Sequence, residues 1–152
     1  MDRHFLIAVS DEKSALHGVR FVGDFFSDKR NVKSTLFYSA PKGPLLLEGE
    51  KNVVTISRQK EQQRKLLVKG RKAIETADKV LLEKGFSDEN IKQKAQKQVF
   101  SKVLDIIQEG EDGAYDAVVL GRRGLSMIEE AFEDSVSRAL FEEVSTFPLW
   151  LC

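Results

Sequence analysis

YDAVVLG (115–121) runs directly into RRG (122–124), and the reading of that junction decides the fold. A short uninterrupted apolar run, with an acid before it and a glycine after it, is what a strand buried on both faces requires. Strands of that kind belong to parallel sheets, whose connections are long crossovers, usually helical. The flanking sequence should therefore alternate strand and helix, and it does. HFLIAV (4–9) is a second continuous apolar run. After the polar SDEKS, Ala15, Val19, Val22 and Phe26 fall at helical spacing, with Leu16 and Phe25 widening the stripe. STLFYSA (34–40) reads as a strand stopped by Pro41. The spacing predicts a long helix over about 58–84, with Leu67, Ile74, Ala77 and Leu81 as its stripe and Gly85 as its stop. NIKQKAQ (90–96) reads as a short polar strand, Ile91, Gln93 and Ala95 inward and Lys92, Lys94 and Gln96 outward. Val99, Val103, Ile106 and Ile107 mark a helix that ends before Gly110, SVSRALFEEV (135–144) a short helix, and FPLWLC (147–152) a closing strand. This is an α/β pattern: a doubly wound parallel sheet with helices on both faces.

Length and composition narrow the function. With 152 residues the chain is read as one domain, 1–152, large enough for its own core. Twenty-four Lys and Arg balance twenty-four Asp and Glu, so no basic field draws the domain to nucleic acid or an anionic membrane. No apolar run approaches the ~20 residues of a membrane span. The N-terminal apolar stretch is too short for a secretory signal, and Cys152, the only cysteine, has no intrachain partner. The expectation is a cytoplasmic protein.

In doubly wound sheets ligands bind outside the carboxyl ends of the strands. That rule selects Ser10–Lys13, Tyr38–Pro41 and the stretch from Gly121 onward. These are also the places that resemble the universal stress protein family, a likeness spanning nearly the whole chain. It rests on IAV with SDEKSALHGV, on LFYSAP, and on YDAVVLGRRG, DSVSRAL and FPLWLC. ATP-binding members of that family carry G-x2-G-x9-G-[ST]. Here Gly121 and Gly124 fit, Asp134 stands where the third glycine belongs, and Ser135 fits again. The resemblance implies a five-stranded sheet in the order 3-2-1-4-5 and dimers formed through strand five. It also implies that residues around Ser39 offer backbone groups to an adenine. The family's aspartate at the end of strand one falls on Ser10, with Asp11 one residue on.

The substitution at 134 has a physical consequence. A helix N-terminus attracts phosphate through unpaired N–H groups and the helix dipole. Aspartate is itself a favoured N-cap, so Asp134 would supply internally the anion that a phosphate otherwise provides. Glu129, Glu130 and Glu133 add repulsion towards a triphosphate, each about 1 kcal/mol near a partly screened surface. Arg122 and Arg123 offset part of this and can reach a smaller phosphate. Two readings of function follow. One is a homodimeric binding and regulatory module with a weak or lost adenine-nucleotide site. The other is a genuine sensor of ATP or AMP, with Mg²⁺ arriving only with the nucleotide. No nucleophile–base pair accompanies His4 or His17, which read as surface histidines, so no catalytic activity is expected.

Three further features bear on partners. PLLLEG (44–49) reads either as an apolar cap over the second strand or as an exposed patch, and VVTI (53–56) as more of the same packing or a short strand. The lysines of KQKAQKQ (92–98) suit an edge strand guarded against pairing. FPLWLC carries no charge, so it reads as an edge covered by a second copy, through Phe147, Leu149, Trp150 and Leu151.

Overall fold

The computed structural model describes residues 2–10, 16–41, 47–121 and 148–151. Along them run β1 (Arg3–Ala8), α1 (Leu16–Phe25), β2 (Val32–Ala40), α2 (Val53–Glu83), β3 (Ile91–Lys97), α3 (Lys102–Asp112), β4 (Ala117–Leu120) and β5 (Leu149–Leu151). The five strands form one sheet in the order β3-β2-β1-β4-β5, and every pairing is parallel. The helix read over 135–144 lies outside the described residues.

Strand alternation explains why the central strands are apolar at nearly every position. Phe5, Ile7, Leu36, Tyr38, Ala117 and Val119 point to one face, where Val19 and Val22 of α1 and Ile74, Ala77 and Leu81 of α2 pack on them. Leu6, Phe37, Val118 and Leu120 point to the other face and meet Ile106 of α3. Each buried Val, Leu, Ile or Phe among them contributes about 1.5–3 kcal/mol. β3 and β5 are the edges. Ile91 and Ala95 turn inward as expected, whereas Gln93 is exposed, because the outer strand is covered only in part.

The helix ends differ from the spacing-based expectation for local reasons. α2 begins at Val53 rather than near 58 because Asn52 caps it. Its Oδ1 accepts from Thr55 N at 2.9 Å, while Asn52 N donates to Thr55 Oγ1 at 3.1 Å. VVTI is therefore the first turn of a helix, not a strand or core packing, and Val53 is 82% exposed. Leu47 is exposed too and caps nothing, while 44–46 lie outside the described residues. At the other end Gly85 stops α2 as read, with φ +98° and Phe86 N donating to the Leu81 carbonyl at 3.1 Å. α3 does not stop before Gly110 but runs to Asp112, with Gly113 as its C-cap. Val99 lies outside α3, and Phe25 of α1 is largely exposed.

His4 is not a surface histidine. It is half-buried, its Nε2 is 2.8 Å from Thr35 Oγ1, and its ring centroid is 4.3 Å from that of Tyr115. Burial, then the charges of Lys92 and Lys33, hold its pKa below 6.5. The unfolded chain thus takes up the proton first, and stability falls as pH drops below about 6.5. Urea midpoints measured between pH 7.5 and 5.5 should fall for the natural chain, and His4→Gln should flatten that slope.

Candidate functional site

The carboxyl edge of the sheet is levelled by its register. Ile7 pairs with both Leu36 and Val119, so Val9, Tyr38 and Gly121 come level just past the ladder, and Ser10 and Ser39 stand one residue beyond. The sequence-predicted residues Ser10, Ser39 and Gly121 are therefore brought to one edge. Asp11, Arg122, Arg123, Gly124, Asp134 and Ser135, like Glu129, Glu130 and Glu133, lie outside the described residues.

Ser39 is the best defined of these. The Phe37 carbonyl accepts from Val9 N at 2.8 Å on the β1 side, and the Ala40 carbonyl from Gln98 N at 2.8 Å on the β3 side. Main-chain polar groups alternate sides along a strand, so Ser39 turns its N–H and C=O towards β1, past the last ladder pair, Ala8↔Phe37. Its side chain stands out of the plane of the sheet, on the face of α3, where Oγ donates to Asp105 Oδ2 at 2.8 Å.

Asp105 was not legible as a site residue, although one signal was present: an acid among the apolar positions Val103, Ile106 and Ile107. It is buried, and it also accepts from Val99 N at 2.8 Å and from Phe100 N at 2.9 Å. Three donors satisfy a carboxylate that would otherwise be costly to desolvate. The result ties the end of β2 to the β3–α3 loop.

Two helices rise around this edge. α1 crosses close over β4: a Cβ added to Gly18 would lie 3.2 Å from Val119 Cγ1 and 3.9 Å from Gly121 N. α2 is 31 residues long, about 46 Å at 1.5 Å per residue, against about 30 Å for nine-residue β2. Its first buried residue is Gly70, which lies against the Tyr38 ring, so the turns before it overhang the carboxyl edge.

A second depression, of 680 Å³, opens at the opposite end of the sheet beside Lys29, Arg30, Lys84 and Asn90. Its cations are already engaged. Lys29 Nζ donates to the Lys84 carbonyl, Lys84 Nζ is 2.7 Å from Asp24, and Arg30 is 2.9 Å from Asp28. Among the described residues no cluster of His, Cys, Asp and Glu could hold a metal ion, and no helix is long and apolar enough to cross a membrane.

The model of the universal stress protein family matches residues 1–151. The chain belongs to the universal stress protein family. No curated protein sequence matches this universal stress protein significantly. Solved structures do. Universal stress protein UspA from Lactobacillus plantarum is 9% identical, with TM-score 0.66, covering 98% of this chain and 96% of the other. A family protein from Arabidopsis thaliana with AMP bound is 15% identical, with TM-score 0.60, covering 98% and 90%. The universal stress protein from Archaeoglobus fulgidus in complex with dAMP is 16% identical, with TM-score 0.58, covering 99% and 97%. At such identities the likeness establishes the fold, in agreement with the strand order above.

Proposed function

We propose that this universal stress protein is a cytoplasmic, homodimeric regulatory protein without catalytic activity, whose carboxyl-edge site takes an adenine mononucleotide weakly and disfavours ATP. The observation that carries the reading is the Ser39 main chain, one donor and one acceptor turned into the crevice beyond β1. An adenine edge presents the complementary pair. Solved relatives of the same fold hold AMP and dAMP. In this reading Ser10 and Asp11 flank the ribose, and Gly121 and Gly124 turn the loop. Arg122 and Arg123 meet one phosphate, and Asp134 caps the helix that Ser135 starts. Mg²⁺ enters only with a nucleotide.

Self-capping makes a specific prediction. Asp134→Gly should strengthen ATP binding by about tenfold, the equivalent of roughly 1.4 kcal/mol, in a calorimetric titration. An unchanged ATP affinity would sink the self-capping idea.

The dimer reading rests on β5, the outer strand beside β4. Trp150 and Leu149 already pack on their own sheet faces, with the Trp150 ring 5.0 Å from that of Phe5. What a second copy would use is therefore the backbone edge. The Pro148 carbonyl accepts from Val118 N, so by alternation Leu149 and Leu151 turn their N–H groups outward. Leu151→Pro removes one of these donors. Light scattering should then show one-chain mass where the natural protein shows two.

A further inference from the structure

Two large apolar residues stand exposed at the carboxyl edge, and no part of the glycine motif calls for them. Val99 and Phe100 directly follow β3 and are 55% and 61% exposed. A single exposed apolar residue needs no explanation. Here two neighbours are presented by a segment whose backbone is fastened on several sides.

The fastening comes from Asp105 and its surroundings. The carboxylate accepts from the main-chain N–H groups of both Val99 and Phe100. One of its oxygens, Oδ2, serves Val99 N and Ser39 Oγ together, each at 2.8 Å. The Val99 amide is therefore seated beside the Ser39 hydroxyl, on the α3 side of the residue whose main chain is turned towards β1. Gln98 N bonds the Ala40 carbonyl, and Gln98 Nε2 donates to the Phe100 carbonyl at 3.3 Å. Ser101 Oγ accepts from Leu104 N at 3.1 Å and starts α3 immediately afterwards. A buried charge is a costly way to hold a loop that only connects two elements. It is well suited to holding side chains at a fixed place.

Resting on the adenine-mononucleotide reading, we infer that Val99 and Phe100 form the α3-side wall of the base subsite, with Asp105 as the positioning residue that sets them beside Ser39. The division of labour is chemical. The Ser39 main chain reads the hydrogen-bonding edge of the base, while an apolar and aromatic surface covers its π-face. Stacking of this kind is tolerant of base identity and adds affinity that the phosphate contacts do not supply. It would let a site with a weakened phosphate end still hold a mononucleotide.

The test is a titration of the intact protein with AMP, followed by calorimetry and by the NMR signals of the Val99 methyl groups. A purine beside Val99 shifts those methyls upfield by its ring current. Phe100→Ala, an exposed position, should leave the melting temperature unchanged and weaken AMP binding about tenfold. Asp105→Asn, which keeps the shape but replaces one acceptor by a donor, should weaken AMP similarly and reduce the Val99 shift. Should that variant fail to fold, Phe100→Ala and the natural protein's methyl shifts still decide. If the natural protein binds AMP with the Val99 methyls unmoved and Phe100→Ala binds equally well, this inference fails while the adenine reading stands. If the natural protein does not bind AMP, both fall.

Discussion

Asp105→Ala should lower the stability of the folded protein by about 3–4 kcal/mol, seen as a lower urea midpoint with an unchanged slope. The carboxylate is 3% exposed and is the acceptor for three donors: Ser39 Oγ–H, Val99 N–H and Phe100 N–H. Alanine removes the acceptor and leaves the donors in place. A buried donor without a partner costs about 1–3 kcal/mol. The Ser39 hydroxyl is deeply buried and bears nearly the full penalty, while the two loop amides are part-buried and regain some water. Asp105 also lies in the first turn of α3, where a negative charge is favoured by the helix dipole, adding a few tenths. Asp112→Ala is the matched control on the same helix. That residue is exposed, accepts among the described residues from Gln108 Nε2 at 3.0 Å, and should change stability by no more than about 0.5 kcal/mol. Equal effects at the two positions would remove Asp105 from its structural role.

Gly70→Ala should destabilise by about 2 kcal/mol, against the direction of helix propensity. On propensity alone the change would gain about 1 kcal/mol. The added Cβ, however, would lie 2.0 Å from Tyr38 Cδ1 and 2.1 Å from Cε1. The Tyr38 ring is 4% exposed and packed among Leu36, Ala40 and α2, so it cannot swing clear. Either the ring leaves its place or α2 lifts from the sheet where its overhang begins. Combining Gly70→Ala with Tyr38→Leu should recover much of the loss, since the two act through one contact. Additive losses would mean that the helix itself does not tolerate alanine there.

The sheet was legible because its evidence is repeated. AVVL and HFLIAV are apolar at successive positions, and in a parallel sheet both sides of such strands must be covered, as Leu6 and Ile7 show on opposite faces. Long-range order came from the family resemblance, and the lysine-bearing β3 did prove to be an edge. What escaped were features made by one or two side chains. The capping pair Asn52 and Thr55 fixes the start of α2 but has no apolar period to announce it. The overhang that follows has no buried residue before Gly70, so its stripe is faint. His4 looks like a solvent-facing strand end until Thr35 of β2 and Tyr115, just before β4, are brought beside it. Asp105 falls within an apolar stripe, and only the fold reveals the three donors it serves. At the site, the places of Ser10, Ser39 and Gly121 followed from the carboxyl-edge rule. The role of the Ser39 side chain did not, because it depends on a partner 66 residues away.

In the proposed function the carboxyl-edge site takes an adenine mononucleotide and turns ATP away. Calorimetric titration of the folded natural protein, with AMP and separately with ATP and Mg²⁺, tests it most directly. The expected result is saturable AMP binding, with ATP weaker by about tenfold or more, the factor assigned to self-capping at Asp134. ATP binding as tight as AMP, or tighter, would contradict it.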